Sequence, residues 1–345
     1  MNTILDPRLR GDDGREVMTS NLSSQEVVIS DTTPIYIAGP TGVGKSEFAT
    51  LLALQLGGEI VGADAFQLYR GLPILTAQPS QAQQRVVPHH LIGTLSLAEG
   101  CDAARYRVMA LASIQQIQQR GSMPIITGGT GFYIRSLILP LDLLPTADLE
   151  LRASLVSYSH KELVAYLEEC DPEAKHLIDL KNRRRVERAL EIVIQSGAPL
   201  ATVWKKKKES SPPAHGFFLF REREELYERI EKHVQTMFEH GVIEEVQALE
   251  SITLSATASM ALGLREIQTH LRGEISLPTT IEKIIHATKR YAKRQITWFK
   301  NQHTFLPWNL SDFSSMEEAV EKAAITLSLL KKKSSIPNSG MEDLN

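Results

Sequence analysis

Residues 35–46 read I-Y-I-A-G-P-T-G-V-G-K-S, and this stretch decides the fold predicted for the chain. An apolar run with the composition of a buried strand leads directly into the G-x-x-x-x-G-K-S pattern of a phosphate-binding loop, and a helical pattern follows. Glycines let consecutive backbone N–H groups face a phosphate, the lysine adds positive charge, and the serine can hold Mg²⁺. Read alone, the loop suggests a nucleoside triphosphate. The predicted phosphate site comprises Gly39, Pro40, Thr41, Gly42, Val43, Gly44, Lys45 and Ser46, with Ser46 as the metal ligand.

The composition excludes several classes of protein. The chain has 345 residues and a formal net charge of −3, so a nucleic-acid site must come from a local patch of positive charge. Cys101 and Cys170 are the only cysteines and form no C-x-x-C pair, which argues against a zinc site and fits a reducing compartment. No apolar run approaches the roughly 18 residues that span a bilayer. We expect a cytoplasmic monomer that does not contact a membrane.

Strand and helix patterns alternate between residues 35 and 139, and strand character returns at 216–220. This order predicts an α/β fold, a P-loop NTPase-like, doubly wound parallel sheet. Residues 148–197 are helical without a strand signal, which predicts an all-helical insertion domain. The predicted boundaries are 1–32 for a disordered N-terminal tail, 33–140 and 214–330 for the core with its C-terminal helices, 141–213 for the insertion, and 331–345 for a flexible C-terminal tail.

Several local expectations follow from the same patterns. Residues 65–79 are polar and interrupted by glycine and proline, which predicts a functional loop rather than a core element. Another strand is expected within 86–92, and one helix is expected over 222–250. Residues 205–208 and 210–213 are typical of a charged linker. A helix is predicted from about Ala103 to Arg120, with apolar spacing at Val108, Leu111, Ile114 and Ile117.

Two polar residues follow predicted strands, at the sheet edge where α/β proteins bind ligands. Asp64 is a candidate general base, but the sequence equally allows a Mg²⁺ ligand or a helix cap. Thr130, in G-G-T-G (128–131), offers a hydroxyl and backbone donors, and a purely structural turn is the alternative. The strand before that turn lacks the terminal aspartate of a Walker B element, which argues against an ordinary ATPase. Arg265, in G-L-R-E (263–266), would either clamp a pyrophosphate or lie on the surface.

Positive charge is concentrated in two places. Residues 181–188 read K-N-R-R-R-V-E-R, and the helix predicted at 281–300 carries a basic face opposite an apolar one. A solvated helix face is the usual explanation for such runs. Two patches in a chain of net charge −3 make a polyanionic partner an equal alternative. The basic positions of the second patch are His286, Lys289, Arg290, Lys293 and Arg294.

Seven motifs, in this order, resemble those of the tRNA dimethylallyltransferases, also called tRNA isopentenyltransferases. They are G-P-T-G-V-G-K-S (39–46), D-A-F-Q-L-Y-R-G-L (64–72), V-P-H-H-L-I (87–92), G-G-T-G-F-Y (128–133), N-R-R-R-V-E-R-A-L-E (182–191), G-L-R-E (263–266) and A-K-R-Q-I-T-W-F (292–299). The chain departs from the usual family pattern at Ala65-Phe66, Leu75, Gln78 and Leu264.

The resemblance implies transfer of a dimethylallyl group from dimethylallyl diphosphate to N6 of the adenosine 3′ of the anticodon in tRNA. The loop, Lys45 and Mg²⁺ on Ser46 would hold the diphosphate, and Asp64 would accept the N6 proton. Thr130 and Arg265 would help bind the leaving diphosphate. The implied tRNA contacts are Asp64, Ala65, Phe66, Gln67, Thr130, Arg152, Asn182, Arg183, Arg184, Arg185 and Val186.

Three alternatives remain open. An isopentenyltransferase for free AMP or ADP would need the loop and Asp64 but not a basic helical insertion. A P-loop nucleoside kinase would consume ATP instead of dimethylallyl diphosphate. A non-catalytic RNA-binding module would need neither an intact loop nor Asp64.

Overall fold

The computed structural model describes residues 32–138, 148–209, 215–302 and 305–334. Within them lies a six-stranded, all-parallel sheet of order β3-β2-β4-β1-β5-β6. The strands are β1 (Ile35–Ala38), β2 (Gly58–Gly62), β3 (His89–His90), β4 (Met123–Gly128), β5 (His215–Phe220) and β6 (Leu306–Asn309). The predicted α/β, P-loop NTPase-like sheet is confirmed.

Helices cover both faces of this sheet. Along β1, Ile37 faces one apolar cluster together with α1, whereas Tyr36 faces another together with α3, so side chains alternate between two buried layers. The helices are α1 (Lys45–Leu56), α2 (Gln81–Val86), α3 (Ala103–Gln119), α4 (Gly131–Ile138), α5 (Leu149–Val156), α6 (His160–Cys170), α7 (Arg183–Ser196), α8 (Leu200–Glu209), α9 (Arg223–Glu239), α10 (Val242–Gln247), α11 (Leu264–Leu271), α12 (Leu277–Gln302) and α13 (Met316–Ser334). None of the helices in the described ranges is long and apolar enough to cross a membrane.

Helices α5 to α8, between β4 and β5, form a separate apolar cluster. Val186 and Leu190 of α7 are fully buried there against Leu163 and Leu167 of α6. No strand occurs within 148–209, as the sequence pattern predicts. The exact domain boundaries stay a prediction, because residues 139–147 and 210–214 lie outside the described ranges.

The helix expected over 103–120 is confirmed as α3, but the packed face is rotated from the one that aliphatic spacing indicates. Helix α3 buries Tyr106 and Ala110 beside Ile114 and Ile117, while Val108 and Leu111 are exposed. The expectation for residues 65–79 is wrong. Within residues 65–79, Leu68, Tyr69 and Leu72 have no exposed surface, so this polar stretch is also a core element.

Other element boundaries also differ from prediction. Residues 205–208 belong to α8 rather than to a linker, and residues 331–334 still belong to α13. The strand expected within 86–92 is limited to His89–His90, and the helix expected over 222–250 is divided at Gly241, whose φ of +88° suits glycine. Residues 1–31 and 335–345, for which tails were predicted, lie outside the described ranges.

Candidate active site

The phosphate-binding loop lies between the end of β1 and the start of α1. Gly44 caps α1 with a φ of +107°, a conformation that side chains other than glycine rarely adopt. The loop therefore ends at a helix N-terminus, where free backbone N–H groups and the helix dipole attract anions. Ser46 is exposed in the first turn of α1.

Lys45 is held against the loop itself. Its Nζ donates a hydrogen bond to the carbonyl oxygen of Pro40 at 2.7 Å. Burial lowers the pKa of Lys45 to about 8, and the nearby carboxylate of Asp64 opposes part of this change. A bound diphosphate would raise the pKa of Lys45 again, because an anion favours the protonated amine.

Asp64 and Thr130 are brought together by neighbouring strands, since β2 pairs with β4 up to the register Gly62–Thr127. The backbone N–H of Thr130 donates to the carbonyl of Ala63 at 3.1 Å, and its Oγ1 accepts from the N–H of Ala65 at 2.9 Å. Oδ1 of Asp64 accepts from the N–H of Phe66 at 3.0 Å. Within the described residues, Oδ2 of Asp64 has no hydrogen-bond partner and remains available to accept a proton.

Helix α12 contributes two side chains for which the sequence predicted no role, although one of them, Gln295, lies in the A-K-R-Q-I-T-W-F motif (292–299). Gln295, only 5% exposed, accepts from the N–H of Thr41 at 2.9 Å and donates to the carbonyl of Gly129 at 2.9 Å. It thereby joins the phosphate-binding loop to the Thr130 turn. Burial, aided by the charge of Asp64, raises the pKa of Tyr291, whose hydroxyl bonds Thr130 and Gln295. The signals available in the sequence were the motif at 292–299, which contains Gln295, and the spacing of four residues that places Tyr291 on the same side of the helix.

Two arginines donate hydrogen bonds to carbonyl oxygens of the phosphate-binding loop. Arg229 of α9 donates to the carbonyl of Gly42 at 3.0 Å, and Arg221 donates to the carbonyl of Val43 at 3.0 Å. These bonds leave the loop N–H groups for a ligand, because they use only its carbonyl oxygens. Neither arginine was predicted, since each lies more than 170 residues away in sequence.

Two glutamine side chains form hydrogen bonds that connect the two ends of the segment after Asp64. Nε2 of Gln67 donates to the carbonyls of Thr76 and Ala77 at 3.1 and 2.9 Å, and Nε2 of Gln78 donates to those of Gln67 and Tyr69 at 3.1 and 2.7 Å. Gln78 is one of the departures from the family pattern, and its amide has a clear structural use here.

Arg265 lies apart from these contacts. It is exposed in the first turn of α11, directly after Gly263 and the buried Leu264. Within the described residues, its guanidinium has no hydrogen bond or ion pair with Asp64 or the phosphate-binding loop. The structure therefore joins Asp64, Thr130 and Lys45 but does not join Arg265 to them.

The predicted tRNA contacts on α7 divide into two groups. Arg184 and Arg185 are exposed, and within the described residues neither guanidinium forms a hydrogen bond or ion pair. Arg183 instead bonds Glu187 at 2.7 Å and the carbonyl of Tyr158 at 2.9 Å, and Asn182 caps the helix through the N–H of Arg185. The contact predicted at Val186 stays a prediction and would have to involve its backbone, because its side chain is fully buried.

Arg152 is likewise held within the helical cluster. Its Nε and Nη2 donate to the two carboxylate oxygens of Glu191 at 2.5 and 3.2 Å, and Arg188 donates to the same carboxylate at 2.7 Å. Burial alone would raise the pKa of Glu191, but the hydrogen bonds from both arginines outweigh it and hold that pKa below its usual range. Arg152 is therefore at least partly a structural residue.

The basic face of α12 is also partly occupied. Lys289 bonds Glu231 of α9 at 2.5 Å and lies over the ring of Tyr227, whereas Arg290 and Lys293 are exposed. Arg294, also exposed, lies over the ring of Tyr291. Exposed charge thus extends from α12 beside the Thr130 turn, where a phosphate backbone could reach it.

Most of this chain is similar to known proteins. The profile of the family described as IPP transferase matches residues 67–302. A tRNA dimethylallyltransferase from Akkermansia muciniphila is 41% identical over 280 residues, which cover 81% of this chain and 94% of that protein. The crystal structure of a tRNA delta(2)-isopentenylpyrophosphate transferase from Staphylococcus epidermidis is 31% identical, with a TM-score of 0.64 over 87% of this chain and 99% of that one.

A second solved structure extends the likeness in fold. A eukaryotic dimethylallyltransferase acting on tRNA has a TM-score of 0.76 at 24% identity, over 89% of this chain and 82% of that one. The family resemblance carried by the seven motifs is confirmed. The chain belongs to the IPP transferase family, in which its curated relatives are tRNA dimethylallyltransferases.

Proposed function

We propose that this protein transfers a dimethylallyl group from dimethylallyl diphosphate to N6 of the adenosine 3′ of the anticodon in tRNA. The observation that carries the proposal is the Asp64–Thr130 pair, held beside the phosphate-binding loop, with one carboxylate oxygen of Asp64 that no other described residue hydrogen-bonds. A proton acceptor next to a diphosphate cradle suits alkylation of a neutral amine, which must lose a proton as it attacks.

The diphosphate binds to the N–H groups of residues 42–46 and to Lys45. Ser46 fits a shared Mg²⁺, because hydroxyl and phosphate oxygens are ligands that this cation prefers. Within the described ranges, no group of three or more His, Cys, Asp or Glu side chains forms a ready metal site. Ser46 would therefore share the ion with the substrate, and the bound ion would neutralise charge on the departing diphosphate.

The transfer itself is a single displacement in this proposal. The lone pair of N6 attacks C1 of the dimethylallyl group as the C1–O bond breaks, and the bonding electrons leave with the diphosphate. The N6 proton passes to Oδ2 of Asp64. Thr130 fixes the turn that carries Asp64. The guanidinium of Arg265, which has no partner among the described residues, meets the leaving diphosphate when both substrates are bound.

Binding of tRNA uses charge outside this site. Arg184, Arg185 and the exposed face of α12 contact backbone phosphates, and Ala65, Phe66 and Gln67 lie beside the target base. The base must leave its stack to reach Asp64, as in other enzymes that modify bases. One chain supplies the loop, Asp64 and Thr130, so we propose that a monomer acts, and that it acts in the cytoplasm, where tRNA is available.

An assay with three kinds of acceptor substrate distinguishes the proposed function from its alternatives. Purified protein with labelled dimethylallyl diphosphate and Mg²⁺ is offered an anticodon stem-loop, AMP or ADP, or a nucleoside with ATP. We expect label on N6 in the stem-loop only. Label on AMP or ADP alone would identify the free-nucleotide enzyme, phosphorylation of the nucleoside would identify a kinase, and binding of the stem-loop without any product would leave a binding module.

A further inference from the structure

A carboxylate of α10 grips the stretch that follows Asp64. Oε1 of Glu245 accepts from the N–H of Ile74 at 2.8 Å, and Oε2 accepts from the N–H of Leu75 at 2.8 Å. Both oxygens of one side chain thus hold two consecutive backbone amides, at a separation in sequence of about 170 residues.

Burying the carboxylate of Glu245 costs free energy, because it loses its hydration. Burial raises the pKa of Glu245, because the carboxylate loses water, and the two amide bonds only oppose that change. No lysine or arginine within the described residues pairs with this carboxylate. Its partners among the described residues are the backbone N–H groups of Ile74 and Leu75. Glu245 therefore fixes the backbone position of that segment.

The gripped segment is connected to the site by hydrogen bonds. The residues directly after it, Thr76 and Ala77, accept from the side chain of Gln67, and Ala77 has a φ of +51°, an uncommon conformation for alanine. The N–H of Gln67 in turn lies 3.4 Å from Oδ1 of Asp64. A continuous series of contacts thus runs from Glu245 to the turn that carries Asp64.

The same pair of helices reaches the diphosphate cradle. Helix α10 follows α9 after the turn at Gly241, and α9 carries Arg229, which bonds the carbonyl of Gly42. One end of this helix pair therefore supports the phosphate-binding loop, and the other supports the segment beside Asp64.

We propose that Glu245 is a positioning residue that sets where the target adenine lies relative to the diphosphate. This inference rests on the proposed function, since it assigns the 64–78 segment to the base. In this proposal the position of Asp64 depends on the clamp, whereas binding of the diphosphate before tRNA arrives depends on the phosphate-binding loop and Lys45. Loss of the clamp should therefore impair use of tRNA and leave diphosphate binding intact.

The variant Glu245→Gln replaces one acceptor with an NH₂ group that faces a backbone N–H. Glu244→Gln is the matched control, because Glu244 is the exposed neighbour on the same helix and loses the same charge. For Glu245→Gln we expect kcat to fall roughly 10- to 100-fold, as for a misplaced reacting group, with a higher KM for the stem-loop. The Kd for dimethylallyl diphosphate should match that of the wild type.

Amide hydrogen exchange of residues 74 and 75 tests the clamp without catalysis. We expect faster exchange at both amides in Glu245→Gln than in Glu244→Gln, with equal thermal stability of the two variants. The proposal is overturned if the variants share the same kcat and KM, or if the diphosphate Kd rises together with the stem-loop KM. If the wild type transfers nothing to the stem-loop, the proposed function fails first, and the exchange rates still show whether Glu245 holds the segment.

Discussion

The strand-edge site and the exposed arginines of α7, in the helical cluster of α5–α8, use polar side chains in opposite ways. At the site, the side chains of Asp64, Thr130 and Gln295 form hydrogen bonds with backbone groups. These bonds leave Oδ2 of Asp64 without a partner among the described residues. In the helical cluster, Arg184 and Arg185 extend from α7 without partners in the described part of the chain. A group-transfer reaction requires the reacting groups to be held in a fixed geometry, whereas attraction to a phosphate backbone requires only accessible positive charge. Mutations in the two regions should therefore affect different measured quantities.

The largest effect is expected at Asp64. Asp64→Asn keeps an oxygen for the amides of Phe66 and Gln67 but removes the proton acceptor, so the transfer rate should fall roughly 10²- to 10⁴-fold. Rapid-quench measurement at saturating substrates tests this. A rate close to that of the wild type would remove Asp64 as the base.

Gln295→Ala breaks the bridge between the phosphate-binding loop and the Thr130 turn. It leaves the part-buried N–H of Thr41 and the buried carbonyl of Gly129 without their partner, and a small displacement of reacting groups can cost roughly 10²-fold in rate. The control is Thr297→Ala, an exposed position on the same helix. Equal kcat values for the two variants would show that the bridge is not needed.

Binding of dimethylallyl diphosphate should weaken as pH rises through about 8. The pKa of Lys45 is lowered to about 8 in the free protein, and the ligand favours the charged amine, so affinity is full below that pH and lost above it. We expect a decline of up to about tenfold per pH unit, measured by calorimetry. Lys45→Arg, which stays charged, should bind with an affinity that is flat from pH 7 to 9; a parallel decline in this variant would assign the titration to another group.

The double variant Arg184→Ala/Arg185→Ala should weaken stem-loop binding several-fold and reduce the slope of log Kd against log salt by about one unit per lost contact. Arg272→Ala removes exposed charge from the end of α11 and serves as the control. Binding titrations between low and physiological salt provide the measurement. An unchanged slope would return the arginine run to a solvated helix face.

The smallest effect is expected at Arg152. Arg152→Ala leaves the buried carboxylate of Glu191 with Arg188, so the free energy of unfolding should fall by about 1–2 kcal/mol. Denaturant unfolding measures this change. If the variant keeps full stability and instead loses tRNA affinity, Arg152 belongs with the exposed arginines.

Local patterns predicted much of this molecule. The strand, glycine loop and helix at 35–56 and the meeting of Asp64 with Thr130 follow from short stretches of sequence and the geometry of parallel strands. Contacts across long separations could not be derived in this way: Gln295, Arg229 and Glu245 occupy their places because α9, α10 and α12 pack back onto the loops. The buried face of α3 was not predictable for a related reason. Aliphatic spacing includes the exposed Val108, whereas Tyr106 occupies the core position, and the spacing alone cannot show which face packs against the sheet.

The division between the two regions is tested most directly by single-turnover transfer to an anticodon stem-loop, with stem-loop Kd measured on the same preparations. The account predicts that Asp64→Asn loses the transfer rate and keeps the wild-type Kd. It predicts that Arg184→Ala/Arg185→Ala raises the Kd and keeps the wild-type rate once the stem-loop is saturating. A fall of rate and affinity together in both variants would contradict it.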